Sequence, residues 1–345
     1  MICKLCETNE ADKKNTHYLT DGIIRSCLNE DGVNQREKGY MFDVSSNNPF
    51  IEFSFQRTTS VTSIISALGR EPNEEEIAKA KQNAFSVDYI FCKSCEDIFT
   101  SIENDFIKIV LPQLRGKDLT GAGQLKFAEK ILIRQLFLLQ AWRTSVCDPT
   151  FKIPDSLKGK LQKIIIDKEI TEEEISSIPL NITYLNTLGD DFEYTKNLVG
   201  VAMIEGNAVI FFNDFVIQVF ESVDAIKYID IYGINDKATF SDFANYMEDE
   251  FVIKVINNDE RIEIASRYYQ QEKVDKSLEV FNYIFESHFY NNFGYHPSSE
   301  LKAEFINGII YGKDTTDEMR YSTERFINHV NDFFKKFLSR LNGKR

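Results

Sequence analysis

Two Cys-x-x-Cys pairs, Cys3-Lys4-Leu5-Cys6 and Cys92-Lys93-Ser94-Cys95, constrain this chain more than any other feature. Each can place two thiolates on one side of a tight turn, and two such turns brought together complete a tetrahedral sulfur site for Zn²⁺. The stretch between them, residues 7 to 91, is far longer than in an ordinary zinc finger. The metal therefore has to staple the start of the chain to a distant helix. Four of the six cysteines fall into correctly spaced pairs, which favours zinc over unrelated thiols or one redox couple. Unpaired Cys27 and Cys147 suit a reducing, cytoplasmic setting.

With 345 residues, 43% of them hydrophobic and 13% aromatic, the chain can bury a substantial core and is not a disordered protein. The opening Met-Ile-Cys-Lys-Leu-Cys lacks the basic and apolar segments of a signal peptide. No apolar run is long enough to span a membrane, so no membrane partner is expected. The net charge of −14 is spread along the chain and argues against a general nucleic-acid binder, because phosphate contacts need Lys and Arg.

Residues 1–45 read as a knuckle followed by short strands and loops, with turns at Asn29–Gly32 and Glu37–Gly39. Pro49–Thr62 alternates like a strand, and Asn73 caps a helix beginning near Pro72. This segment, about 45–85, reads as an insertion within the zinc module. Phe85–Phe91 is a strand leading into the second knuckle. Beyond Cys95 the spacing of Ile98, Phe99, Ile102, Phe106 and Ile109 is helical up to Pro112. Helices are expected at Gly123–Val146, nearly apolar all round in its later half, and at Asp155–Ile166, and Thr171-Glu172-Glu173-Glu174 reads as a helix cap or an acidic turn. Strands follow at Leu180–Leu185, Leu198–Ile204 and Ala208–Phe220, the last two joined by a Glu205-Gly206-Asn207 hairpin. Helices return at Val274–Phe293, Ser298–Tyr311 and Tyr321–Leu341. The fold class is α+β: a zinc-stapled module at 1–118 packed on a mainly helical core with a small antiparallel sheet at 119–345.

His17 sits in Asn15-Thr16-His17-Tyr18, and Glu96 and Glu103 lie two helical turns apart on the helix after the second pair. They are expected away from the stripe of Phe99, Ile102 and Phe106. A histidine on a strand facing carboxylates on a helix suits phosphodiester hydrolysis: imidazole takes a proton from water while a carboxylate-held cation stabilises the phosphate.

At Cys3, Cys6, Thr16-His17, Cys92, Cys95, Glu96, Phe99, Glu103 and Phe106 the chain resembles bacterial proteins related to HNH endonucleases. The resemblance covers the N-terminal third only. It implies a treble-clef, ββα-metal module with structural zinc on the four cysteines. It also implies His17 as general base, with Glu96 and Glu103 as ligands of a catalytic Mg²⁺ or Mn²⁺. A nucleic-acid substrate and a role in defence against foreign DNA follow from the same resemblance. Two features depart from the family pattern. Thr16 stands where an acid usually precedes the histidine, and no histidine follows on the helix. The alternative is a non-catalytic, zinc-stabilised interaction module that docks a protein partner or a second copy of itself.

The remaining candidates have simpler readings. His288 and His296 sit among aromatics as core-edge or cap residues, and His329 is a surface residue of a helix. Arg143, beside the lone Trp142, is expected to pair with helix-terminal carbonyls. Asp190-Asp191 and Glu248-Asp249-Glu250 read as solvated turns. Gly121-Ala122-Gly123, just before an expected helix, offers an anion the helix N-terminus but lacks the Lys-Ser/Thr of a phosphate loop.

Overall fold

The computed structural model describes residues 1–27, 40–45, 53–55, 60–68, 71–74, 77–78, 85–187, 198–310 and 323–342. The turns expected at 29–32 and 37–39, Asp190-Asp191 and most of the helix expected from Pro72 lie outside them. The chain forms two compact units, the first running to Ala265 and the second taking in the residues from Ser266 onward.

The first unit opens with β1 (Thr16–His17) and α1 (Asp21–Cys27), then β2 (Tyr40–Asp43), β3 (Phe53–Phe55), α2 (Val61–Leu68) and β4 (Ser86–Val87). Next come α3 (Lys93–Ile109), α4 (Leu111–Leu114), β5 (Gln124–Phe127), α5 (Lys130–Cys147), α6 (Asp155–Ile166) and α7 (Glu172–Ser176). The strands β6 (Leu180–Leu185), β7 (Leu198–Ile204), β8 (Asn207–Asn213), β9 (Phe215–Val219), β10 (Ala244–Asn245) and β11 (Phe251–Ile256) follow, and the chain then enters α8 (Asn258–Tyr269).

The expected small antiparallel sheet is instead a nine-stranded mixed sheet, ordered β3-β2-β7-β8-β9-β6-β11-β5 with β10 beside β6. Two of its pairings, β2 with β7 and β11 with β6, are parallel. Three local features account for the difference. The first is Gln124–Phe127, expected within a helix, which alternates exposed and inward residues and pairs with Phe251–Lys254. No helix therefore begins after Gly123, and the anion site expected there has no helix N-terminus behind it. The second is the run Ala208–Phe220, which folds back at Asn213-Asp214, where Asn213 takes a left-handed φ of 59° and Phe212 pairs with Phe215. The third is β2 and β3, from the segment expected to belong to the zinc module, which join the edge of this sheet. The hairpin at Glu205-Gly206 forms as expected, both residues having positive φ.

One glycine is demanded by the sheet. Gly200 has a φ of +145°, and a Cβ there would lie 2.5 Å from Ser45 Oγ and 2.7 Å from Ser45 N. Ser45 Oγ accepts from Val201 N at 2.7 Å, so the edge segment seats directly on the glycine backbone.

Both faces of the sheet are covered, which is why β6, β8 and β9 are buried along their whole lengths. One face packs on α5, whose residues from Ile133 to Thr144 are almost all buried. There Phe215 meets Phe106, Phe137 and Tyr184 with ring centroids 5.3–6.0 Å apart. Residues 221–243 lie over the other face and bury Ile229, Ile231 and Ile234. Two bidentate ion pairs tie the layers. Arg115 holds Asp214 at 2.5 and 2.8 Å, and fully buried Arg134 holds Glu248 at 2.5 and 2.8 Å. Glu248 is thus a half-buried ion-pair partner and not the solvated turn residue expected. Helix α6 has the limits read from the sequence, and α7 begins with a capping box between Thr171 and Glu174.

The second unit is helical. α9 (Lys276–Phe293), α10 (Ser299–Ile310) and α11 (Thr323–Asn342) enclose a core of Phe281, Phe285, Phe289, Phe305, Phe326, Val330 and Phe334. Phe285 stacks on Phe305 at 4.3 Å, and Phe281 stacks on Phe326 at 4.6 Å. Gly294 ends α9 with a φ of +73°, its N–H returning to Tyr290 O at 2.8 Å. Among the described residues no helix is long and apolar enough to cross a membrane.

Candidate metal centre

The first knuckle is built from backbone hydrogen bonds that the short sequence Cys-x-x-Cys permits. Glu7 N donates to Cys3 O at 3.0 Å and Cys3 N to Asn9 O at 2.8 Å. Closing this turn puts Glu7 in the left-handed region at φ 56°, a conformation that favours glycine. The knuckle is pinned to the second by Lys4 N to Ile90 O at 3.0 Å and Lys13 N to Phe91 O at 3.2 Å. Cys92 caps α3 in extended geometry and Cys95 lies in its first turn, so the second pair stands at a helix N-terminus. The positive end of that helix favours thiolate over thiol.

All four ligating sulfurs lie within 4.8 Å of one another, three of their residues being buried. Tetrahedral coordination with zinc–sulfur bonds of about 2.3 Å requires sulfur–sulfur edges of about 3.8 Å. Cys6 and Cys92 Sγ are 3.9 Å apart, which fits that edge and is far beyond a disulfide bond of about 2.05 Å. The four-cysteine group can therefore hold a metal ion such as zinc. A ring of polar groups supports the sulfurs: Asn9 Nδ2 donates to Cys92 Sγ at 3.6 Å, and the Ser94 hydroxyl lies 3.2 Å from the same sulfur.

The electrostatics point the same way. The Thr8 side chain pulls the Cys6 thiol down to about 6, with burial opposing. Burial works against the Cys92 thiolate, yet hydrogen bonds led by Ser94 outweigh it and lower its pKa. Burial raises Cys3, and burial together with the neighbouring sulfurs raises Cys95. Four thiolates this close repel one another, and a divalent cation is what lets all four ionise.

Antiparallel β1 and β4, with His17 opposite Ser86, precede the helix that supplies Cys92 and Cys95. His17 is half-buried next to buried Thr16. The two carboxylates lie on the core side of α3, not away from the Phe99 and Phe106 stripe. The physical reason is helical spacing: 96, 99, 103 and 106 follow steps of three and four and share one face. Glu103 accepts from Arg143 at 2.7 Å and from the Thr20 hydroxyl at 2.6 Å. Gln140 reinforces the cluster, donating to Thr20 Oγ1 at 2.9 Å and accepting from Thr20 N at 3.1 Å. Arg143 completes it with the Tyr18 carbonyl at 3.1 Å, its guanidinium lying 5.4 Å from the Phe99 ring centroid. Arg143 thus has the structural role expected, through Glu103 and Tyr18 and not through helix-terminal carbonyls. Burial raises the Glu96 carboxyl above the ordinary carboxylate range, with Arg143 and Thr16 working against that rise. Glu96 Oε1 is enclosed without a hydrogen-bond partner.

The structure therefore assembles Cys3, Cys6, Cys92 and Cys95, and it joins Glu103 to Arg143. Sequence reasoning passed over Thr20, Gln140 and Asn9; the only available signal was polar Gln140 inside an apolar helix. His288 and His296 are exposed, their rings lying 4.7 and 5.0 Å from those of Phe334 and Tyr290. His329 is half-buried, its Nε2 3.2 Å from Phe305 O, because α11 turns that face toward α10. No protein-family model matches the chain, and no curated protein or solved structure is significantly similar to it.

Proposed function

We propose that this is a zinc-stabilised interaction protein whose N-terminal module is a treble clef kept for its scaffold rather than for hydrolysis. The observation that carries this reading is the engagement of Glu103 by Arg143 and Thr20. A carboxylate closed by a guanidinium is a poor ligand for Mg²⁺ or Mn²⁺, since binding the cation costs the ion pair. The treble-clef assignment is supported by a knuckle, the pairing of β1 with β4 across the intervening α1, β2, β3 and α2, and a helix headed by the second cysteine pair. Zinc would be held by the four cysteines and would supply folding free energy, fixing the short strands against α3. Docking is supported by apolar side chains left in solvent in the helical unit, with Tyr283 72% and Tyr295 56% exposed.

The second reading is a divergent HNH-type nuclease, favoured by the place of His17 on the strand pair that leads into the metal-bearing helix. It needs Glu96 or Glu103 to turn outward on binding the catalytic ion. Elemental analysis combined with cleavage assays on duplex and single-stranded nucleic acid, with Mg²⁺ or Mn²⁺, decides between them. One zinc per chain with no cleavage is the result expected. Metal-dependent cleavage abolished by His17→Ala, with zinc retained, would overturn the interaction reading and establish the nuclease.

A further inference from the structure

Helix α11 carries two apolar stripes side by side. Steps of four and three residues join Phe326, Val330, Phe333 and Phe337 in one, and Ile327, Asn331, Phe334, Leu338 and Leu341 in the other. Each has the spacing of a seam that packs against a neighbouring helix. The first is filled: Phe326 and Val330 are buried, and Phe333 and Phe337 pack against the same core. Phe281 meets Phe326, Phe285 meets Phe333 and Phe289 meets Phe337, so α9 runs parallel to α11 along it. Helix α10 takes its far flank, where His329 Nε2 lies 3.2 Å from Phe305 O.

The second stripe is left in solvent. Ile327, Leu338 and Leu341 are 53%, 45% and 44% exposed, with Phe334 as the buried floor between them. Helix α9 widens this face instead of covering it: the exposed His288 ring lies 4.7 Å from that of Phe334, and exposed Ile284 stands one turn before His288. Aliphatic side chains exposed in a row mark a contact surface, as singly scattered ones do not. Asn331 stands inside the row, and a polar residue there restricts register at a cost in stability.

The charges say what the occupant is. Within α11, Lys335, Lys336 and Arg340 follow Asp332 and no acidic residue does. Two copies of α11 laid parallel would set these cations side by side. Laid antiparallel about an axis near Asp332 and Phe333, they hold the cations at opposite ends. Ile327 of each copy then meets Leu338 of the other, and Lys335 comes within one turn of the other copy's Asp332 on the same flank. Lys335 and Asp332 are 78% and 66% exposed, and their own contact within one helix is a loose 3.6 Å. We propose that this face is the contact of an antiparallel, two-fold dimer of the chain. The same residues serve both copies, so the contact closes on itself. The stripe is about 21 Å long, which makes the interface small and the association micromolar. The dimer rests on the interaction reading and names its partner as a second copy.

Sedimentation velocity of the full chain over a concentration series tests it, and a reversible monomer–dimer equilibrium is the result expected. Leu338→Glu, outside the buried core, should weaken the dimer at least about tenfold. Lys335→Asp should weaken it by about threefold to tenfold, and adding Asp332→Lys should restore it, because the pair between copies re-forms in reverse. Both charged residues are solvent-exposed, so these variants test the contact even if Leu338→Glu fails to fold. A chain that stays monomeric, a dimer that survives folded Leu338→Glu, or a charge reversal without rescue would each overturn the dimer. A monomer that sediments with anionic vesicles would overturn it too, assigning the face to a lipid surface. A monomer that also lacks cleavage activity refutes the dimer alone, since the interaction reading is decided by the cleavage assay.

Discussion

The four-cysteine module and the helical unit hold small assemblies together by opposite means. Around Cys3, Cys6, Cys92 and Cys95 the strands are short, β1 and β4 having two residues each, and a shared set of sulfurs joins the first knuckle to the head of α3. In α9, α10 and α11 there are long helices and a core made almost wholly of phenylalanine, with no metal-ligating group of three or more among the described residues. A metal on the four sulfurs, as proposed, would concentrate its stabilisation at one point, so that losing a single ligand atom would remove it. The aromatic core spreads it over many contacts of about 0.1–0.2 kcal/mol each, so a single substitution removes only a share.

The largest effect expected is therefore at the metal. Cys92→Ser should abolish zinc binding, a loss on the order of 10 kcal/mol of binding free energy at the site. Limited proteolysis should then cut residues 1–20 and 85–95 first. Unchanged zinc content by elemental analysis would break the comparison at its root.

Truncating the aromatic core should do less and act elsewhere. Phe285→Ala is expected to cost about 3–5 kcal/mol by denaturant unfolding, with the zinc stoichiometry unaltered. Loss of zinc in that variant would mean that the two modes of stabilisation are not separable.

Beside the metal, Arg143→Met should cost about 3–5 kcal/mol, because it leaves Glu103 partly buried without its cation. Adding Glu103→Gln should recover part of that loss, a coupling that a double-mutant cycle reads directly. Additive losses would show that the pair does not brace α3 against α5.

The smallest effect sharpens the picture of the knuckle. Glu7→Gly should stabilise the zinc-bound protein by about 1 kcal/mol, since glycine adopts the φ of 56° without steric cost. A lower Tm in that variant would show that the Glu7 contact to Gln162, 3.4 Å long, outweighs the backbone strain.

What could be read from the residues alone were features that local chemistry enforces. The cysteine spacing specified the sulfur cluster. Steps of three and four placed Asp155–Ile166 to the residue, and Thr171–Glu174, readable as a helix cap or an acidic turn, forms the cap. Glu205-Gly206 marked a hairpin because both positions must reach positive φ. Where the reading failed, the deciding partner lay far away in sequence. Gln124–Phe127 is a strand because Phe251–Lys254 lies beside it, and Glu103 faces inward because Arg143 and Thr20 receive it. The stripe of Ile327, Leu338 and Leu341 is left open because α9 and α10 fill the stripe beside it, which helical spacing alone does not decide. Periodicity records which residues can share a face, since that follows from backbone geometry; which face meets which neighbour is settled by packing, and only the tertiary structure holds it.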